Sequence, residues 1–276
     1  MRTHVEEFMK KTVLKTLLLL CCIAAIDCRP RPRPLPTPPL ALPSNQPVWF
    51  KVDNLEQSNP ANNLVVPGYT DASGPQGNWG VFNVSVIQLG IVASPNVDIG
   101  GGGANVFVDD GPGGSAGQIT GIIYGIQNTS ATTSTGGTID FFWHDRNASY
   151  IAGTCVSGSS CTPDAATVAL FTSGSFLARV KLASGIDAAA ALTFTKSNSA
   201  VPTSPGAFSQ SAGFANVDTT KVGPWTAALD GDWFTTSFGT RDMRITTVFA
   251  NLASWSGGPA GTVGLRSNDP FRVFTH

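Results

Sequence analysis

The chain has 276 residues, of which 42% are hydrophobic and 13% charged, with 30 glycines and a formal net charge of −1. That apolar fraction excludes a disordered chain, and the length suits one large β domain or two small ones, of which one is expected. Residues 1–34 hold seven of the seventeen Lys and Arg and three of the eighteen Asp and Glu, so the body beyond them is weakly acidic, has no basic cluster and is not expected to bind nucleic acid.

At the N-terminus, Lys10, Lys11 and Lys15 precede the apolar run from Leu17 to Ile26, the order of charge and then hydrophobicity that marks a secretory signal. The run is short for a bilayer span, and Ala24 and Ala25 offer a cleavage point. Residues 1–25 are therefore expected to be a signal peptide. From Arg29 to about Pro47, alternating Arg-Pro and Pro-Leu-Pro lack backbone donors and a periodic apolar face, which predicts an extended linker over 26–47. Cys28 suggests an acylated lipoprotein tether, but Asp27 puts a bulky acid where such a site needs a small residue. The chain is thus expected to be secreted or extracellular, without stable membrane insertion after cleavage.

Residues 48–276 read as one all-β extracellular domain. Apolar-alternating stretches run from Val48 to Val52, Trp79 to Val92, Asn105 to Val108, Ile119 to Gln127, Thr138 to Trp143, Phe176 to Leu182, Ala190 to Thr195, Trp233 to Phe238, Met243 to Leu252 and Phe271 to Phe274. About ten strands at this spacing predict a β-sandwich or jelly-roll-like barrel. Phe234 to Phe238 and Met243 to Phe249 are expected to form a hairpin about Gly239 to Asp242, with Met243, Ile245, Thr247 and Phe249 on one inward face. One short helix is expected from Thr162, a capping residue followed by Pro163 and Asp164, to about Ser173. Export makes a Cys155–Cys161 disulfide the expected state of that pair.

Chemistry-bearing residues are few. Past position 34 the single Glu is Glu56 and the histidines are His144 and His276, little material for proton transfer or metal binding. Gly113-Gly114-Ser115-Ala116-Gly117 matches a nucleophile elbow, but a β-branched run follows where that motif needs a helix. Asp109 with Asp110, and Asp230 with Asp232, are candidate calcium ligands that fall short of a full calcium loop. Neither a metal nor a cofactor is expected. Trp225 and Trp255, near turn residues, are the candidates for stacking on a sugar ring.

Two stretches, Ile119-Thr120-Gly121-Ile122-Ile123-Tyr124-Gly125-Ile126 and Gly231-Asp232-Trp233-Phe234 through Gly239-Thr240-Arg241-Asp242-Met243-Arg244 to Ser267-Asn268-Asp269-Pro270, resemble the bacterial exported proteins with a PEP-CTERM sorting tail, the substrates of exosortase. Asn78-Trp79-Gly80-Val81-Phe82 adds to the likeness. The resemblance implies an exported β domain at the cell surface or in an exopolysaccharide matrix, with exopolysaccharide or surface proteins as partners. That family's tail of Pro-Glu-Pro motif, apolar helix and basic cluster is not found before His276, so the anchor is expected to be lost, cut off with a longer chain, or unneeded in a released protein. The expected function is a non-catalytic structural or adhesive matrix component. A carbohydrate-binding module and a secreted hydrolase stand as alternatives.

Overall fold

The computed structural model describes residues 40–109, 117–145, 155 and 161–276; the predicted signal peptide, Cys28, Asp110 and Ser115 lie outside them. In chain order the strands are β1 (Pro47–Ser58), β2 (Asn78–Leu89), β3 (Ile91–Ser94), β4 (Asp98–Gly100), β5 (Asn105–Val108), β6 (Gln118–Asn128) and β7 (Thr133–His144), followed by β8 (Ser175–Ala183), β9 (Thr195–Ser197), β10 (Phe208–Val217), β11 (Phe234–Thr236), β12 (Gly239–Arg241), β13 (Met243–Asn251) and β14 (Val263–Phe274). Helix α1 (Ala165–Thr172) precedes β8 and the single turn α2 (Thr226–Leu229) follows β10.

Eight strands close a barrel in the order β1, β2, β6, β7, β8, β10, β13, β14 and back to β1, every pairing antiparallel. Apart from the short inserted strands, barrel order is chain order, which makes this an up-and-down meander. The expected sandwich or jelly roll is therefore corrected to a closed barrel. Strand spacing alone is the same in both architectures, and the difference lies in one long-range pairing. β14 lies along the whole of β1, from Pro47 opposite Phe274 to Ser58 opposite Val263, and so removes both edges of the sheet.

Side chains alternate across the barrel wall. On β14, Leu265, Ser267, Asp269, Phe271 and Val273 are buried inward while Arg266 and Asn268 are exposed outward. Lys51, Arg244 and Arg272 stand on the outer face in the same alternation, the reverse of the outward apolar band of a transmembrane barrel. Phe141 fills the interior at the end where β1 begins, with its ring centroid 5.3 to 6.5 Å from those of Phe50, Phe82, Trp225 and Phe271. Gly121 makes room for this plug, because a Cβ there would stand 2.2 Å from Phe82 Cζ. Leu40 and Leu42, within the predicted linker, pack against the same core.

Outside the opposite half of the barrel lies a second apolar layer in which Trp255 packs on Trp79 and α1 contributes Val168 and Phe171. Asp140, on the outer face of β7, is 0% exposed beneath it. Arg179 clamps its carboxylate with bonds from Nε to Oδ1 and from Nη2 to Oδ2, both 2.6 Å, and the Tyr69 hydroxyl also donates to it. Arg179 and Lys221 both reach Asp71, which ties the loop between β1 and β2 to the wall. Burial, then the bond to Asp140, pushes the Tyr69 phenol up.

Several expectations need adjusting. The N-cap of α1 is Asp164, whose carboxylate accepts from the Thr167 N–H, while Thr162 donates to Asp164 instead of capping the helix. The helix ends at Ser173 as expected. β11 pairs with β12 and not with β13, because β13 is held between β10 and β14 in the barrel wall. Met243, Ile245, Thr247 and Phe249 do share the inward face, where Met243 and Phe249 are buried and Ile245 and Thr247 line a cavity. The Cys155–Cys161 disulfide is present, and both cysteines are buried in the outer apolar layer.

Candidate functional site

The barrel end away from the aromatic plug is open. A cavity of about 830 Å³, its mouth included, has walls of Ile123, Ile126, Ile139, Leu182 and Ile245 and a mouth rich in hydroxyls, such as Ser130, Thr132, Thr195, Ser197 and Ser211. Phe249 is the one aromatic ring, and Glu56 and Asp269 are the two charged side chains, among the residues that line it.

β1 supplies the floor through its two-residue period. Val48, Phe50 and Val52 point into the plug, and the same inward row continues as Asn54, Glu56 and Ser58. Asn54 stands opposite Ser267 on β14, and Asp269 follows two positions later on the same inward face. The Asn54 amide donates from Nδ2 to Glu56 Oε1 at 2.6 Å and to Asp269 Oδ2 at 3.0 Å. Asn78 Nδ2 donates to Glu56 Oε2 at 3.0 Å. Across the barrel joint, Gly80 pairs with Glu56. A Cβ at Gly80 would stand 2.6 Å from Glu56 Cγ and 2.9 Å from Asn54 Oδ1, so glycine there is a condition for both side chains to lie as they do.

Ser267 shows how the two acids share charge. Its hydroxyl carries one proton, yet Oγ is 2.8 Å from Glu56 Oε1 and 3.1 Å from Asp269 Oδ2. With both carboxylates ionised, one of these contacts would be oxygen against oxygen with no hydrogen between. One proton on the pair removes the conflict, because a protonated acid can donate to Ser267 while Ser267 donates to the other. The titration points the same way. Burial first, and then the neighbouring Glu56, pushes the Asp269 carboxyl up to about 8, against the nearby Thr247 hydroxyl and the bonds from Asn54 and Ser267. Burial likewise raises Glu56 against bonds from Ser267, Asn78 and Asn54. Two acids this close do not both ionise at neutral pH. Among the described residues, no Lys, Arg or His forms an ion pair with either acid.

Hydrogen bonding at the floor is incomplete. Asn54 Oδ1, Asn78 Oδ1 and Asp269 Oδ1 are buried acceptors without a donor, and the Thr247 hydroxyl is also without a partner in bonding geometry. Both amide orientations follow from the bonds above, since the reversed amides would press oxygen on carboxylate oxygen.

The residues singled out from sequence fall elsewhere. Trp225 and Trp255 are each 1% exposed. Trp225 belongs to the aromatic plug, with its indole N–H on the Leu40 carbonyl at 2.6 Å, and Trp255 packs on Trp79. Neither presents the open ring face that sugar stacking needs. Asp230 and Asp232 are exposed, Asp232 accepting from the Thr240 hydroxyl at 2.8 Å. Asp109 caps the edge strand β5, its backbone N–H on the Ser85 carbonyl at 2.9 Å. No group of three or more potential ligands that could hold a metal occurs among the described residues. His144 is buried against Thr120 at 2.8 Å, and burial holds its imidazole below the usual range. Thr120 donates to the Phe171 carbonyl at 2.6 Å and so accepts from His144.

Sequence reasoning missed Asn54, Asp269 and Ser267, and read Glu56 as a sign of scarcity. The signal was present: the lone Glu of the body sits in phase with an inward apolar row, where an exposed strand residue would be out of phase.

The chain is thus a closed antiparallel meander barrel, plugged at one end, with an acid pair at the floor of an open cavity. No family model, curated protein or solved structure matches the chain.

Proposed function

We propose that this chain is a non-catalytic binding barrel that holds a small amphiphilic molecule in the open half of its interior, and that it works outside the cytoplasm, as the export signal and the family resemblance suggest. The observation that carries the reading is the cavity at the open barrel end, with aliphatic walls and a few convergent polar groups, the composition typical of small-ligand sites. An interior left open forgoes packing contacts, which a bound molecule would restore. Hydrolysis is less well supported. Glu56 and Asp269 stand side by side on adjacent strands and share the same donors, whereas glycosidase acids flank the bond to be cut from opposite sides.

Titration with Nile red, a neutral apolar dye, tests this. Saturable one-to-one emission at shorter wavelength is expected for the folded barrel. In Ser211→Trp, whose indole would fill the mouth, the affinity should fall at least tenfold. Emission that never saturates, or that is unchanged in Ser211→Trp, would reject the binding reading.

A further inference from the structure

Which molecule the cavity suits is set by its floor, and the inference rests on the binding reading just given. Among the residues that line the cavity, the unpartnered amide and carboxylate atoms, Asn78 Oδ1 and Asp269 Oδ1, are acceptors, and they outnumber the one unpartnered hydroxyl, that of Thr247. Asp269 is 3% exposed, so its Oδ1 was taken out of water without receiving a bond in return, which is costly. A ligand head that completes the site must therefore bring donors. A carboxylate or phosphate brings none and would repel the acids. A hydroxyl brings one proton and leaves the charge of the pair as it is.

An ammonium carries three N–H donors, no acceptor and one positive charge. It matches the excess of acceptors and also supplies the counter-ion that Arg179 supplies to Asp140 on the other side of the wall. A metal ion fits less well, since Asn54 and Asn78 amide protons and the Ser267 hydroxyl already occupy Glu56 Oε1, Glu56 Oε2 and Asp269 Oδ2. Above the floor, the aliphatic walls leave room for an unbranched apolar tail.

We propose that the cavity binds a primary alkylammonium ion, its head on the Glu56–Asp269 pair and its alkyl chain along the Ile123, Ile139, Leu182 and Ile245 wall.

Binding of the cation competes with the proton that the pair holds, so affinity should depend on pH. The groups facing the pair are Asn54 from β1, Asn78 from β2, Thr247 from β13 and Ser267 from β14, none of which titrates in the accessible range. Glu56 and Asp269 are the titratable and charged groups that line the cavity. The dependence should therefore be theirs. With the Asp269 carboxyl pushed up to about 8 by burial and by Glu56, affinity should rise about tenfold per unit as pH increases towards 8. It should then level off until the free amine loses its own proton near pH ~10.

Calorimetric titration with hexylammonium, hexanol and hexanoate at pH 6, 7, 8 and 9 tests the proposal, beside the Nile red titration. Hexylammonium is expected to bind at least tenfold more tightly than the other two at pH 8 and to weaken as pH falls. Asp269→Asn should lose at least tenfold for hexylammonium, remove its pH dependence and leave hexanol unchanged. Glu56→Gln should act in the same direction and serves if Asp269→Asn fails to fold by circular dichroism. Equal affinity for the three ligands, or an unchanged affinity in both folded variants, overturns the ammonium site while Nile red binding keeps the cavity reading. Displacement of hexylammonium by stoichiometric calcium overturns it in favour of a metal. Loss of both Nile red and hexylammonium binding in the wild type overturns both readings.

Discussion

Asp140 and Asp269 are buried carboxylates on opposite sides of the same barrel wall, and the protein treats them differently. Asp140, on the outside, is held by the two 2.6 Å bonds of Arg179 and by Tyr69. Asp269, on the inside, has a second acid for a neighbour and amide and hydroxyl donors for partners. A buried charge is tolerated when an opposite charge with good geometry repays its desolvation. The outer site meets that condition and binds a loop to the wall. The inner site does not, and the pair keeps a proton instead. In the outer site the chain has completed its own electrostatics, whereas in the inner one completion is left to something that enters the cavity.

Breaking the outer site should have the largest effect. Arg179→Met leaves Asp140 buried with the partly exposed Lys221, 3.9 Å away, as the nearest cation, and should cost on the order of 3 to 5 kcal/mol in a urea titration at pH 7. A loss below about 1 kcal/mol would mean that the clamp is not what holds the loop between β1 and β2.

The inner site should respond to pH. Because the folded state holds the Asp269 proton up to about pH 8 and the unfolded chain releases it near pH ~4, the pair favours folding less and less as pH rises through that window, and its penalty is complete above it. Asp269→Asn imitates the protonated acid. It should be within about 1 kcal/mol of wild type at pH 5 and more stable by roughly 1 to 3 kcal/mol at pH 9. Parallel urea titrations at the two pH values check this, and a difference independent of pH would place the proton elsewhere.

The smallest effect sharpens the comparison. Lys221 bonds to Asp71 at the rim of the outer site, where both side chains are about one-third exposed. Lys221→Ala should therefore cost less than about 1 kcal/mol, and raising salt should shrink the cost further. A cost equal to that of Arg179→Met would show that the rim, and not the buried clamp, secures the loop.

The pattern of strands read correctly and incorrectly follows the same division. Asn105 to Val108 was placed as observed, and Ile119 to Gln127 and Phe176 to Leu182 within a residue of their ends. These strands present apolar faces to the plug, to the outer layer or to the aliphatic wall of the cavity. The segments that differ carry the polar residues of the cavity mouth and floor. β1 was cut at Val52, just before Asn54 and Glu56, and β14 was begun at Phe271, just after Ser267 and Asp269. β7 was begun at Thr138, after the hydroxyl-bearing positions 133–135, and β10, with Ser209, Ser211 and Gly213 inward, was missed altogether. Trp225 and Trp255 failed for the converse reason. Their turn-like neighbours suggested exposure, but packing from distant strands covers both rings.

The sequence by itself therefore determined an all-β domain, the apolar-inward phase of most strands, the end of helix α1 and the cysteine pair, because each depends on local alternation, turn chemistry or proximity along the chain. Tertiary structure alone decided that the sheet closes, through a pairing of β1 with β14 that joins residues more than two hundred positions apart. It alone also turned a polar strand end into a cavity floor. Alternation reports which side chains share a face but not whether that face meets water or an interior, and a polar row inside a barrel reads in sequence as a loop.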